Sequence, residues 1–525
     1  MIKKLAIGCV VLTLARGAQS ATSPQLTQAH QVQHPSIRMN YVPEEITTQI
    51  ADAAPKSQSG LGGKVFTYYV DSVNGKDANP GTLMAPWKSI EKVNATKLAP
   101  GKSVGFKRGG VWREALRPRE SGLAGRPILF GAYGTGHQPV ISGSQVVSGF
   151  LATRIAGVWY AKLSVNPHAL WIDSRPLAPP VVAKADLVRP DQWFWDGGTL
   201  YINSKADPSQ GHTIEAAKVA YPVDINRVSY ITVDGLEVTN ANSSDVELRD
   251  SMYDTIRNTT IHDSSGDGIY AGLGGGGHTV DNCDVYNTGL NRIFGHGSGI
   301  QFNGSEAPPV TIPSIAQNNY IHDIDNPSGG NHAIYEEVGG DIDRYNHFKG
   351  IHGSTAVKVD GAGVLIYGNI FDNIPAGGIW IDAYSYVKVY NNTFYNVGSV
   401  TPYAAVSFTG DGAESGVSVM NNIDYYPGAS YSVFLNLNND ITGFSSDFND
   451  AFGVWWAESI GNRAYDSLNS WVRATGQDAN SISANPHFVG ASTTPFRLLE
   501  ASPATGRGVY IPGVTASRRP NMGAK

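Results

Sequence analysis

An asparagine-led turn followed by a short apolar strand recurs through the second half of this chain, and it constrains the fold more than any other feature. The copies read NTTIHD at 258–263, NCDVYN at 282–287, NNYIHD at 318–323, NIFDN at 369–373, NNTFYN at 391–396 and NNI at 421–423. With a degenerate copy at Phe348, the apolar anchors Val238, Ile261, Val285, Ile321, Phe348, Phe371, Phe394 and Ile423 are spaced by 23, 24, 36, 27, 23, 23 and 29 residues. A fixed period of this size marks a solenoid, in which each repeat buries its apolar face only against its neighbours. The short spacing is one coil, and the longer ones are coils carrying insertions. Alternating apolar runs of three to five residues are too short for helices and read as strands.

A second series interleaves with the first: Gly268-Ile269, Gly299-Ile300, Ala333-Ile334, Ala356-Val357, Gly378-Ile379 and Ala405-Val406. A small residue followed by a branched apolar one suits a narrow β-solenoid interior. Asparagines at matching corners predict side-chain ladders that satisfy the backbone groups of the turns. Composition agrees, with 60 Gly and only 16% charged residues among 525. That favours tight turns over long salt-bridged helices.

The start of the chain reads as an export signal, residues 1–21. Lys3 and Lys4 precede an apolar stretch from Leu5 to Ala15, and Ala18-Gln19-Ser20 offers small residues for cleavage. A stretch this short does not span a bilayer, so no membrane segment and a secreted or periplasmic location are expected. Loss of the signal removes Cys9 and leaves Cys283 alone, without an internal disulfide. It also takes the formal charge from −6 to −9 by removing Lys3, Lys4 and Arg16. With no basic block, nucleic acid is not an expected partner.

Residues 22–64 read as a flexible, Ser-, Gln- and Pro-containing linker. Residues 65–149 would form an N-terminal cap and the first coils. There a short amphipathic helix from Ser89 to Lys97 turns Ile90, Val93 and Leu98 to one side and covers the open apolar end. Asp and Asn side chains in the turn from Asp71 to Gly81 could hold a Ca²⁺ or simply form Asx-turns. Residues 150–217 break the rhythm and read as a small β insertion, whose tryptophans are either core or sugar-stacking surface. Residues 218–515 carry the repeat, and a monomer is expected.

The chain resembles the right-handed parallel β-helix superfamily, an all-β group that includes pectate lyases, polygalacturonases, chondroitinase B-like lyases and alginate lyases. The resemblance covers about Val65 to Tyr510. It rests on the repeat, the opening YVDSVNGKD at 69–77, the close NPHFV at 485–489, and the stretch from Phe496-Arg497-Leu498 to Ser502-Pro503-Ala504. It implies a polysaccharide ligand lying in a groove along the helix, and it names no particular sugar.

Aligned on the inward residues of the second series, one outward column reads Tyr270, Gln301, Tyr335, Lys358, Trp380 and Ser407. Two residues on, the next reads Gly272, Asn303, Glu337, Asp360, Asp382 and Thr409. Three carboxylates stacked beside a lysine and aromatics would repel without a use. Coil insertions at 289–298, 303–317, 325–332 and 338–345 would wall a groove over that face. Asp360 and Asp382 on adjacent coils suit a retaining glycosidase, whereas Glu337 with Asp382, two coils apart, suits an inverting one. Lys358 and Glu337 would assist, while Trp380, Tyr335, Tyr270, Gln301 and Asn303 line sugar sites with His332 and His296. His262 and His322 sit in repeat turns and read as structural, and no spacing makes a zinc site.

Two alternatives use the same face. In β-elimination on a uronic acid polymer, Lys358 or Tyr335 would remove the C5 proton. Ala356-Val357-Lys358-Val359 resembles the lysine-bearing strand of chondroitinase B-like lyases, but the arginine of the following coil is replaced by Trp380 and Asp382. The other alternative is a non-catalytic carbohydrate-binding adhesin.

Overall fold

The computed structural model describes residues 65–291, 297–303, 312–325, 330–352, 354–382, 386–399, 404–408, 415–428, 432–437, 442–460, 463–490 and 496–524. The expected export signal and linker lie outside them. Among the described residues, no helix is long and apolar enough to cross a membrane.

Three sheets, parallel except for the antiparallel last strand of the third, are built from the coils, giving a β-solenoid with a 12-stranded sheet and two 11-stranded sheets among the described residues. One coil shows the plan. Leu365–Tyr367 joins the first sheet, Ile370–Ile374 the second and Gly377–Ile381 the third. Each strand pairs in register with its counterparts one coil before and one coil after. Inward side chains therefore stack in columns. Phe348, Phe371 and Phe394 lie ring on ring at 4.9 and 4.6 Å, fully buried. Burial of each such ring stabilises the fold by about 2–3 kcal/mol.

The last apolar anchor is corrected by the register. Phe394 pairs with Asp424, so Ile423 lies opposite Thr393 and faces outward. Ile423 is buried nonetheless, because the C-terminal segment lays Ala504 and Met522 over it.

The corner between the first and second sheets carries the expected asparagine ladder, formed by Asn319, Asn346, Asn369, Asn392, Asn422 and Asn449. Each Oδ1 from Asn346 onward accepts both the backbone N–H and the side-chain N–H of the asparagine one coil earlier, at 2.8–3.1 Å. Cys283 occupies the preceding rung, where its backbone N–H donates to Asn319 Oδ1. The asparagine just before several of these rungs, as at Asn318, Asn391 and Asn421, has a φ of 51–60°, which Asn tolerates better than most residues.

The expected helix is present but shorter. Helix α1 spans Ile90–Asn94 and is N-capped by Ser89, whose side chain accepts from the Lys92 N–H. Ile90, Val93 and Leu98 belong to the main core. The insertion holds two four-stranded antiparallel sheets between Ser144 and Ala217. They enclose a separate core that includes Trp193, Leu200, Ile202 and Ile214.

Candidate functional site

The third sheet sets up the site. Its register pairs Tyr270 with Gln301, Gln301 with Tyr335, Tyr335 with Lys358, Lys358 with Trp380 and Trp380 with Ser407. The carboxylates follow directly after the strand ends. Asp360 N–H donates to the Glu336 carbonyl and Asp382 N–H to the Val359 carbonyl, so the ladder carries Glu337, Asp360 and Asp382 onto successive coils. Strand spacing makes each step about 4.8 Å.

Asp360 is the centre of the cluster. Its Oδ2 accepts the Tyr335 phenol at 2.6 Å and pairs with the Lys358 ammonium at 2.9 Å. Lys358 also donates to the Tyr335 oxygen at 3.4 Å. Its Nζ lies 4.8 Å from the Tyr335 ring centre and 4.9 Å from that of Trp380. Burial raises the Tyr335 pKa well above the ordinary tyrosine range, and the Asp360 carboxylate raises it further, so the phenol acts as a donor. Glu337 accepts from Gln301 Nε2 at 3.0 Å and also bears on Tyr335, adding to the upward push on its phenol. Like-charge repulsion along the column is thus met by an ammonium, a phenol and an amide.

The remaining candidates divide. Tyr270 is half-buried on the same face, and burial together with Glu247 and Asp267 pushes its phenol up to about 12. Trp380 and Asn303 are half-buried rather than open. Gln301 is buried at 4% exposure. His332 does not line the groove, because its side chain is covered. Burial pushes its imidazole down to about 4, and Nδ1 lies 2.9 Å from the Thr355 carbonyl. A carbonyl only accepts, so Nδ1 carries the proton. The ring packs 5.7 Å from Tyr335 and 6.2 Å from Trp380, supporting both from below. His296 and Thr409 lie outside the described residues, as does much of the expected groove wall.

His262 and His322 are held between carboxylates on the second sheet. For His262, burial alone would lower the pKa, but Asp263 and Glu237 overcome this and push it up to about 10. Asp71 and Asp77, in the turn considered for Ca²⁺, use their oxygens locally. Asp71 accepts the Val73 and Asn74 N–H groups and pairs with Lys107, while Asp77 accepts from Lys88 and Ser89.

One group escaped the sequence columns. Glu336 points into the solenoid beneath the site, fully buried beside Asp341 and Asp343. Among the described residues, neither Glu336 oxygen has an N–H or hydroxyl partner. Burial, and then the two aspartates, raise its pKa far above the carboxylate range. Carboxyl groups in contact hydrogen-bond only by sharing protons, so this trio is protonated in part at neutral pH. Strict alternation at Glu336-Glu337 was the available signal, since it sends one of the two glutamates inward.

The family model described as "Right handed beta helix region" matches residues 200–339. The structure of XylC in complex with xylose superposes with a TM-score of 0.54 at 16% identity, covering 80% of this chain and 87% of that one. The chain is a right-handed parallel β-helix. A lacto-N-biosidase of Bifidobacterium longum subsp. longum is 28% identical over 343 residues, which is 61% of this chain. The match spans only 16% of that relative's length. Pectate lyase Pel9A is similar at 16% identity with a TM-score of 0.49, covering 87% of this chain and 95% of that one.

Proposed function

We propose that the β-helix is a polysaccharide-cleaving enzyme, a glycoside hydrolase with Asp360 at its reaction centre. The observation that carries this reading is the Asp360 carboxylate, fixed by Tyr335 and Lys358 and flanked by carboxylates on the coils before and after. Two donors on Oδ2 set the rotamer, while Oδ1 is buried and has no hydrogen-bond partner among the described residues. A neighbour one coil away, Asp382 or Glu337, lies at the spacing of a retaining pair, about 5 Å. In that mechanism Asp360 attacks the anomeric carbon while its neighbour protonates the departing oxygen, then activates water to release the product. Glu337 and Asp382, two coils apart, are the inverting alternative.

Hydrolysis is favoured over elimination because Lys358 is committed. Its ammonium is paired to Asp360 and set between two rings, whereas a base needs a free lone pair aimed at the C5 proton. The likeness to a lacto-N-biosidase, by name a glycosidase, supports the same choice. The export-type residues Lys3, Lys4 and Leu5 to Ala15 point to work on an extracellular or cell-wall polysaccharide. Incubation with a panel of polysaccharides, following both reducing ends and the ultraviolet absorbance of unsaturated products, tests the proposal. New reducing ends without that absorbance are expected. Absorbance with reducing ends would replace hydrolysis by elimination, and binding without either would make the protein an adhesin.

A further inference from the structure

The β insertion turns its tryptophans inward and a different aromatic row outward. Trp193, Leu200, Ile202 and Ala161 fill its core. On the opposite face of the sheet formed by Leu151–Ala152, Val158–Lys162, Trp193–Asp196 and Thr199–Asn203, the register aligns Phe194 with Tyr201, Tyr201 with Tyr160, and Tyr160 with Leu151. These side chains stand side by side on four neighbouring strands, a row about 14 Å long. The three rings are half-buried, and Leu151 is 57% exposed.

The rings do not cover one another. Tyr160 and Tyr201 are 6.3 Å apart and tilted by 37°, too far and too inclined to stack. Tyr201 carries the Lys184 ammonium over one face, 3.6 Å from the ring centre, which places a cation beside the row. One side of the row is edged by Lys162, Thr199 and Asp196, which supply donors and acceptors. The insertion is also fixed to the coil that enters the third sheet. His168 N–H donates to Asn242 Oδ1 at 2.6 Å, and Asn242 Nδ2 donates to the Asn166 carbonyl at 3.1 Å. The row is therefore anchored to the same solenoid that carries Asp360.

We infer that this row is an accessory binding platform for a chain of pyranose sugars, holding the polymer apart from the cleavage site. The C–H faces of pyranose rings lie against Phe194, Tyr160 and Tyr201, excluding water from apolar surface, while hydroxyls reach Lys162 and Asp196. A narrow aromatic row with a polar edge suits an extended, amphipathic chain better than a protein partner, which would need a larger apolar core. The choice of ligand rests on the proposed function, but the binding itself does not require turnover.

Native gels containing xylan, arabinogalactan, polygalacturonate or alginate test this with the full chain. The Asp360→Asn protein should be retarded by at least one polymer as strongly as the wild type. Tyr160→Ala with Tyr201→Ala should weaken that retardation at least tenfold, with unchanged turnover of a short soluble oligosaccharide and an unchanged circular dichroism spectrum. Tyr160→Phe with Tyr201→Phe, which keeps both rings, should bind normally. Should the alanine variant lose its fold, Phe194→Ser carries the test, and it too should weaken the retardation. Retardation that survives loss of the rings, or no retardation by any polymer, overturns the platform. Loss of binding in the alanine variant of a protein without hydrolytic activity would keep the platform and discard the hydrolase.

Discussion

The Tyr335 phenol and the Asp360 carboxylate are joined across adjacent coils by a 2.6 Å hydrogen bond. The oxygen that receives it is the one paired with Lys358. Replacing Asp360 by Asn removes the anion while keeping the shape. Turnover should fall on the order of 10³-fold or more, with the thermal unfolding midpoint nearly unchanged. Full activity in both Asp360→Asn and Asp382→Asn would remove this cluster from the chemistry.

Tyr335→Phe keeps the ring beneath Lys358 and deletes only the donor. A hydrogen bond to a charged group contributes about 1.5–3 kcal/mol, so a loss of kcat of about 10- to 100-fold is expected. Binding of a short oligosaccharide should change little. A fall in affinity with kcat preserved would make Tyr335 a sugar contact rather than a support for Asp360.

Lys358→Met separates the two chemistries. As a clamp on Asp360, its loss should leave slow but measurable hydrolysis and no unsaturated product in either protein. Unsaturated product from the wild type that disappears in the variant would show that Lys358 is the base of a lyase.

The buried acids give stability a pH dependence with a defined sign. Burial pushes Asp254 up to about 7 and raises Glu336, Asp341 and Asp343 as well. A folded-state pKa above the unfolded value of about 4 means that the folded protein holds the extra protons. Their contribution is complete below pH 4, and that of Asp254, Asp341 and Asp343 fades as pH rises through 7, by up to about 1.4 kcal/mol per pH unit for each proton. His262, raised to about 10, adds a loss in the same direction between roughly pH 6.5 and 10. The unfolding midpoint should therefore drop from pH 5 to pH 9, and less steeply in Glu336→Gln. Identical slopes in the two proteins would show that the trio does not hold the protons.

Much of the architecture was readable because a solenoid writes its geometry as a period. Aligning Ile269, Ile300, Ile334, Val357, Ile379 and Val406 predicts the outward column, and the strand register reproduces it. What a period cannot convey is three-dimensional cover. Ile423 is apolar and buried, yet it faces outward beneath the C-terminal segment. His332 sits at a groove position by spacing, but its ring turns under Tyr335 and Trp380. Glu336 is not legible in a period, because a solenoid interior is ordinarily apolar and nothing in the spacing shows that Asp341 and Asp343 lie beside it.

The asparagine ladder can be probed at its midpoint. Asn369 accepts from Asn346 and donates to Asn392 and to the Asp343 carbonyl. Asn369→Ala leaves buried groups unpaired on both neighbouring coils, and about 3 kcal/mol of stability should be lost. Chemical denaturation would show it. A change below about 1 kcal/mol would mean that the backbone alone holds the corner.

That ladder runs through the coils that bear the site: Asn319 belongs with Glu337, Asn346 with Asp360 and Asn369 with Asp382. The corner opposite the groove thus works as a ruler. Duplicating one unit would lengthen the groove by a single graduation without redrawing the rest. A slip at any rung would miscalibrate two carboxylates that no mutation had touched.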